Sequence, residues 1–275
     1  MQMQGQLIFT RAGIALRVVL MVLFAGGVAP WLTLRAWEQL PHPFETHLVV
    51  GAGVTRALVT LCMAWLLFPY AFRSDARHPA KRKGSLRIAP IIAIAAILAR
   101  VGAVVATPNT QGHWHGFTWT QLGYLTAFGI GTAVFEEVLF RFVLLGRLAQ
   151  VAGIPLAFTV QVLLFTLVHL DSGPVAWSQM SHAAFAGCAL SLIYLKNRSL
   201  WPAITLHFVY NVLTAAIFGI SIDGVQVYPM LVADNFGKVN GVMAAAIAFA
   251  GWTGLLAIKR LRAPRQSFVT GVVHG

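Results

Sequence analysis

The sequence has little charge and very few acids. Only 10% of its 275 residues are Asp, Glu, Lys or Arg, and only eight residues are acidic, whereas 58% are hydrophobic. A soluble domain usually carries about 25% charged residues. The shortage of charge therefore argues against an ordinary soluble protein and indicates a polytopic membrane protein.

Cysteine is equally scarce. The two cysteines, Cys62 and Cys188, both lie in apolar runs. This argues against a disulfide framework and against a cysteine-based zinc site. We expect both side chains to pack as small buried hydrophobes.

The basic residues are placed in a way that argues against nucleic acid as a partner, despite a net charge of +12. They lack the aromatic interleaving of single-strand-binding proteins. Instead they gather in the connection 73–87 and in the tail 259–265, whereas 107–118 and 171–175 contain no Lys or Arg. By the positive-inside rule, we predict a multi-pass membrane protein with both termini in the cytoplasm.

Long apolar runs fill most of the chain. A helix needs about 20 apolar residues to cross a bilayer. We predict about eight such spans: 13–35, 48–72, 87–106, 119–146, 153–170, 176–195, 199–220 and 239–259. The first could pass for a signal peptide, but the rest of the chain is equally apolar, so we interpret it as an uncleaved span. We predict one all-α membrane domain, 1–275, whose helices surround a polar cavity.

Two of the eight acids, Glu136 and Glu137, lie inside a predicted span. A charge at the bilayer centre costs roughly 2.5–3.5 kcal/mol on insertion scales, so such residues indicate function. Glu137 and Arg141 are four residues apart and can pair along one helix face. Glu136 points about 100° away and can project into a cavity.

Two other predicted spans carry residue pairs that share a helix face at a spacing of four residues: Phe165 with His169, and His207 with Asn211. Taken singly, His169 suits a membrane interface and the second pair can join helices. At about 1.5 Å per residue, however, both pairs and Glu136 lie roughly 12–22 Å from the cytoplasmic side. We therefore expect a carboxylate, two imidazoles and a carboxamide to line one cavity, as in a hydrolytic site.

Three segments, EEVLFR (136–141), FTLVH (165–169) and HFVYN (207–211), together resemble the signature of the CAAX-protease and bacteriocin-processing (CPBP, Abi-like) family of intramembrane proteases. That family includes the type II CAAX prenyl endopeptidases. The resemblance is confined mainly to 119–215, which we take as the motif-bearing core. It implies an intramembrane endopeptidase with a helical fold around a polar cavity.

The resemblance also implies a role for each matching residue. Glu136 would be the general base that activates water, and His169 would hydrogen-bond the water or the glutamate. His207 and Asn211 would polarise the scissile carbonyl and stabilise the oxyanion. The residues implied as structural support are Glu137, Arg141 and Phe165.

The metal requirement is left open by the sequence, because both metalloprotease and glutamate-protease chemistry have been described for this family. The chain lacks a His-Glu-x-x-His motif, and this favours a site that works without a cofactor. Glu136, His169 and His207 could still supply the three protein ligands of a catalytic zinc. A non-enzymatic alternative, an immunity protein or a proton-coupled membrane protein, would use the same buried groups.

The expected partners are membrane lipid and a peptide or protein substrate that is possibly lipidated. The short loops suggest a bacterial cytoplasmic membrane.

Three residues outside the motifs also lie near or inside spans. We expect Arg56 to snorkel toward the interface and His182 to be interfacial, whereas the sequence indicates no partner for Arg100.

Overall fold

The computed structural model describes residues 11–28, 35, 45–69, 83–106, 110–112, 118–169, 176–222, 225–227 and 231–233. This part of the chain is overwhelmingly helical, which confirms the predicted all-α class. The helices are α1 (Arg11–Leu23) with a π-helical continuation (Phe24–Val28), α2 (Glu45–Leu67), α3 (Lys83–Val105), α4 (Trp119–Glu136), the π segment (Glu137–Arg147), α5 (Leu148–Ala152), α6 (Ile154–Leu167), α7 (Ala176–Asn197) and α8 (Leu200–Phe218).

Four three-residue strands accompany the helices: β1 (Thr110–Gly112), β2 (Ile220–Ile222), β3 (Val225–Val227) and β4 (Leu231–Ala233). They form two antiparallel pairs, β1 with β4 and β2 with β3. Thr110 lies opposite Ala233, and Ile220 lies opposite Val227. These short pairings have no clear signal in the sequence, because each strand is far below the usual strand length of 5–6 residues.

Seven of the eight predicted spans coincide with helices, and the eighth, 239–259, lies outside the described residues. In the described part, α8 is the one helix long and apolar enough to cross a bilayer by itself. Shorter apolar helical stretches are Gly53–Leu67, Ala89–Gly102 and Ile154–Leu167. Eight membrane-crossing helices, a polar cavity and a single domain over 1–275 therefore stay predictions.

Helix α4 begins at a capping box. The Thr118 hydroxyl accepts a hydrogen bond from the Gln121 amide (3.1 Å), and the Gln121 side chain accepts one from the Thr118 amide (3.0 Å). Two amide donors that the first helical turn cannot satisfy are thereby paired. This cap fixes where the helix that carries both glutamates begins.

The continuation of α4 is wound more widely than the sequence led us to expect. We predicted one regular helix over 119–146, whereas Glu137–Arg147 is π-helical. At its end the Leu148 amide reaches back to the carbonyl of Val143, five residues earlier. Every residue from 137 to 146 is buried, so tertiary packing surrounds the widened turns. Widened turns of this kind often occur at functional sites.

The main core surrounds the π segment, which packs against α6, α7 and α8 among others. Close approach to α7 depends on Gly146, where an added Cβ would lie only 2.6 Å from the Tyr194 hydroxyl oxygen. Ser191 of α7 also donates a hydrogen bond to the Gln161 side chain of α6. The site residues are therefore held on helices that are packed from several sides.

The outward faces of the helices are apolar. Large hydrophobic side chains that are about half exposed or more occur on most of the long helices: Leu16, Leu23, Leu58, Leu66, Ile91, Leu98, Leu163 and Trp201. Cys62 lies on such a face, beside Leu58 and Leu66, and is exposed. The expectation that Cys62 is buried was therefore wrong, because its helix turns that apolar face outward. Cys188 is half-buried.

Candidate active site

The first carboxylate of the site, Glu137, is fully buried and binds two groups from different helices. Its Oε1 accepts a hydrogen bond from Arg141 Nη1 at 3.0 Å, as the spacing of four residues predicted. The same oxygen lies 2.8 Å from His207 Nδ1 on α8. A carboxylate only accepts hydrogen bonds, so this contact assigns a proton to Nδ1 of His207.

The second carboxylate, Glu136, faces two imidazoles. Its residue is 9% exposed, and Oε2 lies 3.8 Å from His169 Nε2 and 3.7 Å from His207 Nε2. These separations exceed a direct hydrogen bond, but they are short enough for one bridging water. Oε2 is buried and has no hydrogen-bond partner in the described part of the chain.

His169 follows the end of α6, and its ring is held from one side. Nδ1 lies 2.7 Å from the Phe165 carbonyl oxygen. Because that carbonyl only accepts, the proton of a neutral His169 belongs on Nδ1 and the lone pair belongs on Nε2. The side chain is 37% exposed, so part of it remains accessible.

Phe165 is the packing centre of this group. The Arg141 guanidinium carbon lies 4.3 Å from its ring centre, and the His169 ring lies 4.5 Å away. The His207 ring lies edge-on at 6.3 Å. Gly187 of α7 makes room for this ring, since an added Cβ there would lie 3.3 Å from Phe165. The phenyl ring thus fixes the relative positions of a cation and two imidazoles.

Asn211 lies one turn beyond His207 on α8 and is half-buried. Of the four residues predicted to act on the substrate, the structure brings Glu136, His169 and His207 together. Within the described residues it gives no hydrogen bond between the Asn211 amide and those three side chains. The proposed role of Asn211 therefore rests on its helical register with His207.

Several contacts escaped the sequence analysis. Arg100 has a partner, because its guanidinium lies 4.2 Å from the Phe218 ring centre. His182 also has a partner that the sequence did not indicate: its Nε2 is 2.9 Å from the Tyr210 hydroxyl, and the two rings are stacked. These pairs join α3 to α8 and α7 to α8, and no local spacing signals them.

The three groups around Glu136 were also the candidate zinc ligands. Neutral imidazole nitrogen and carboxylate oxygen suit zinc chemically. Among the described residues, however, no group of three or more His, Cys, Asp or Glu side chains has an arrangement that could hold a metal ion. A metal-independent site stays a prediction that a chelator can test.

The comparison with known families bears on these motifs directly. Residues 117–213 match the family described as Type II CAAX prenyl endopeptidase Rce1-like. We refer to this matched segment as the Rce1-like domain. The domain holds α4, the π segment, α5, α6, α7 and most of α8, and therefore all three motifs that carried the resemblance to CPBP proteases.

The Rce1-like family consists of type II CAAX endopeptidases, which are membrane proteins. No curated protein and no solved structure matches the chain. The Rce1-like domain leaves the first 116 residues and those after 213 unmatched. The family assignment therefore concerns the domain that contains Glu136, His169 and His207.

Proposed function

We propose that this protein is an integral-membrane endopeptidase that hydrolyses a peptide bond with water activated by Glu136. The observation that carries the proposal is the buried Glu136 Oε2, which lies 3.7–3.8 Å from two imidazole nitrogens inside an Rce1-like domain. A carboxylate between two imidazoles at water-bridging distance has the parts that general-base hydrolysis needs.

In the proposed reaction, Glu136 takes a proton from the bound water while the water oxygen attacks the carbonyl carbon of the scissile peptide. The carbonyl oxygen becomes an oxyanion in a tetrahedral intermediate. When that intermediate collapses, the carbon–nitrogen bond breaks and Glu136 returns the proton to the leaving amine. The products are a new carboxyl group and a new amine.

His207 is proposed to stabilise the oxyanion through Nε2. Its Nδ1 contacts the buried Glu137 carboxylate at 2.8 Å. When the ring also carries a proton on Nε2, that N–H can donate a hydrogen bond to the oxyanion. The arrangement is analogous to the carboxylate that orients the imidazole in a Ser-His-Asp triad. Arg141 neutralises the same carboxylate and contacts the same oxygen, Oε1.

His169 and Asn211 complete the proposed site. The Nε2 lone pair of a neutral His169 can accept a hydrogen bond from the attacking water and so aim it. Asn211 supplies an amide donor for the oxyanion, and a donor of this kind is typically worth about 3–4 kcal/mol in the transition state. Both roles follow the family motif onto matching positions of this chain.

We further propose a multi-pass protein of about eight spans in a bacterial cytoplasmic membrane, with both termini cytoplasmic. The membrane character of the family supports this, and so do the exposed apolar helix faces. Contiguous apolar surface on several helices suits contact with lipid better than contact with water. The segregation of basic residues into alternate connections supports the orientation.

The proposed substrate is a peptide or protein, lipidated substrates included, because the Rce1-like family acts on prenylated CAAX peptides and proteins. The test is to incubate the purified protein in lipid vesicles with a farnesylated CAAX peptide in oxygen-18-labelled water. Mass spectrometry should find a shortened peptide whose new carboxyl group carries one labelled oxygen. A peptide that stays intact, or products without the label, would refute hydrolysis of this substrate class.

A further inference from the structure

A helix outside the Rce1-like domain approaches the candidate site closely. Helix α2 packs against α4, and a pair of glycines lies at their contact. A Cβ added at Gly131 would lie 2.8 Å from the carbonyl carbon of Gly53. Small residues allow membrane helices to pack at such short separations. The glycine contact sets the positions of residues one turn further along both helices.

One turn beyond those glycines stand Arg56 on α2 and Phe135 on α4. The Arg56 guanidinium carbon lies 5.4 Å from the centre of the Phe135 ring. Phe135 directly precedes Glu136, so the positive charge of Arg56 lies near the stretch of α4 that carries this acid. The snorkelling expected of Arg56 stays a prediction, because these contacts do not place its guanidinium relative to a bilayer.

The hydrogen-bonding capacity of Arg56 is left partly unused. Its side chain is half-buried, and Nε is buried with no hydrogen-bond partner among the described residues. Arg141 also has an unpaired buried Nε, but its two terminal nitrogens donate to Glu137 and to the Ala186 carbonyl. A guanidinium in a poorly solvated place favours an anion that it can bind through two parallel hydrogen bonds, and a carboxylate fits that geometry.

We propose that Arg56 forms a subsite that binds a carboxylate of the substrate. This subsite lies close to the bond that is hydrolysed by the water that Glu136 activates. This inference rests on the proposed function. A CAAX motif stands at the C-terminus of its protein, so a free terminal carboxylate lies within three residues of its cysteine. Three extended residues span about 10 Å. A terminal carboxylate at that distance from the scissile bond can reach a guanidinium on the helix next to the one that carries Glu136. The subsite selects chains that end near the scissile bond.

The proposal is tested with two farnesylated CAAX peptides that differ only in ending as a carboxylate or a carboxamide. For the protein in vesicles, the KM for the carboxylate peptide should be about 10- to 100-fold lower than the KM for the carboxamide peptide. A difference of this size is expected when a charge-assisted hydrogen bond is lost. In Arg56→Gln the KM for the carboxylate peptide should rise to that of the amide, with kcat changed little. Arg56→Lys should keep part of the preference.

Arg147 provides the matched control. Its guanidinium carbon lies 4.6 Å from the Phe142 ring centre, and its Nε is also buried without a hydrogen-bond partner in the described part of the chain. It stands at the far end of the π segment, eleven residues beyond Glu136. Arg147→Gln should therefore keep the preference for the carboxylate peptide.

Two results would overturn the subsite. One is an equal loss of kcat for both peptides in Arg56→Gln, which would make Arg56 a partner of Glu136 alone. The other is an unchanged preference for the carboxylate. If Arg56→Gln does not fold, Arg56→Lys decides by the same comparison, with full preference counting against the proposal. Failure of the unmodified protein to cleave either peptide would instead refute the proposed function.

Discussion

At the scale of single residues, Glu137 binds more partners than its neighbour Glu136. One oxygen of the buried Glu137 joins Arg141 to His207 across two helices. The sequence predicted the bond to Arg141, because the two residues are four apart on one helix. It did not predict the bond to His207, because seventy residues separate the partners and only the tertiary fold brings them together.

Replacement of Glu137 by Gln should destabilise the protein strongly. It leaves the buried Arg141 cation without its counter-ion, and breaking a buried ion pair costs about 3–5 kcal/mol. Thermal unfolding in detergent measures the loss. The double variant Glu137→Gln with Arg141→Met should recover part of the stability but not the activity, since His207 still lacks its carboxylate. A single variant as stable as the unmodified protein would contradict this account.

The zinc alternative is also decided at the residue scale. If Glu136 activates water without a metal, prolonged treatment with a strong chelator should leave the rate of peptide cleavage unchanged. The rate is measured on the same vesicles before and after dialysis. Loss of activity that added zinc restores would instead assign Glu136, His169 and His207 as metal ligands.

At the scale of helices, the sequence predicted the positions of the elements well and their internal geometry less well. Hydrophobic runs located α1, α2, α3, α4, α6, α7 and α8. The widening of α4 into the π segment had no signal in the sequence, because buried packing around 137–146 decides it. The glycine contact between α2 and α4 could not be predicted from the sequence either, because neither helix on its own indicates which residues it packs against.

The α2–α4 contact gives a prediction with a control on the same helix. Gly131→Ala introduces a Cβ within 2.9 Å of the Gly53 backbone, whereas a Cβ at Gly123 meets nothing within 4 Å. Overpacking typically costs about 1–3 kcal/mol, so Gly131→Ala should lower the unfolding temperature and the cleavage rate. Gly123→Ala should leave both unchanged or raise stability, because Ala favours helix. Equal behaviour of the two variants would contradict the close approach.

At the scale of the whole molecule, the predicted topology places alternate connections on opposite sides of the membrane. Much of both connections, 73–87 and 107–118, lies outside the described residues. The prediction therefore depends on charge: the first contains six Lys or Arg and the second none. By the positive-inside rule the first is cytoplasmic and the second faces outward.

Single cysteines introduced into each connection test this topology, with Cys62 and Cys188 replaced by Ser. A membrane-impermeant thiol reagent should label the connection 73–87 only in inverted vesicles. It should label the connection 107–118 only in right-side-out vesicles. Labelling of both connections from the same side would show that the helix between them, α3, does not cross the membrane.

The central claim is that the Glu136 carboxylate activates the hydrolytic water, and the rate of peptide cleavage by Glu136→Gln tests it most directly. The substitution keeps the shape of the side chain and removes the base, which should lower kcat by about 10²- to 10⁴-fold or more. The unfolding temperature should stay close to that of the unmodified protein, and Arg147→Gln should remain active. A well-folded Glu136→Gln protein that cleaves the farnesylated peptide at the unmodified rate would contradict the claim.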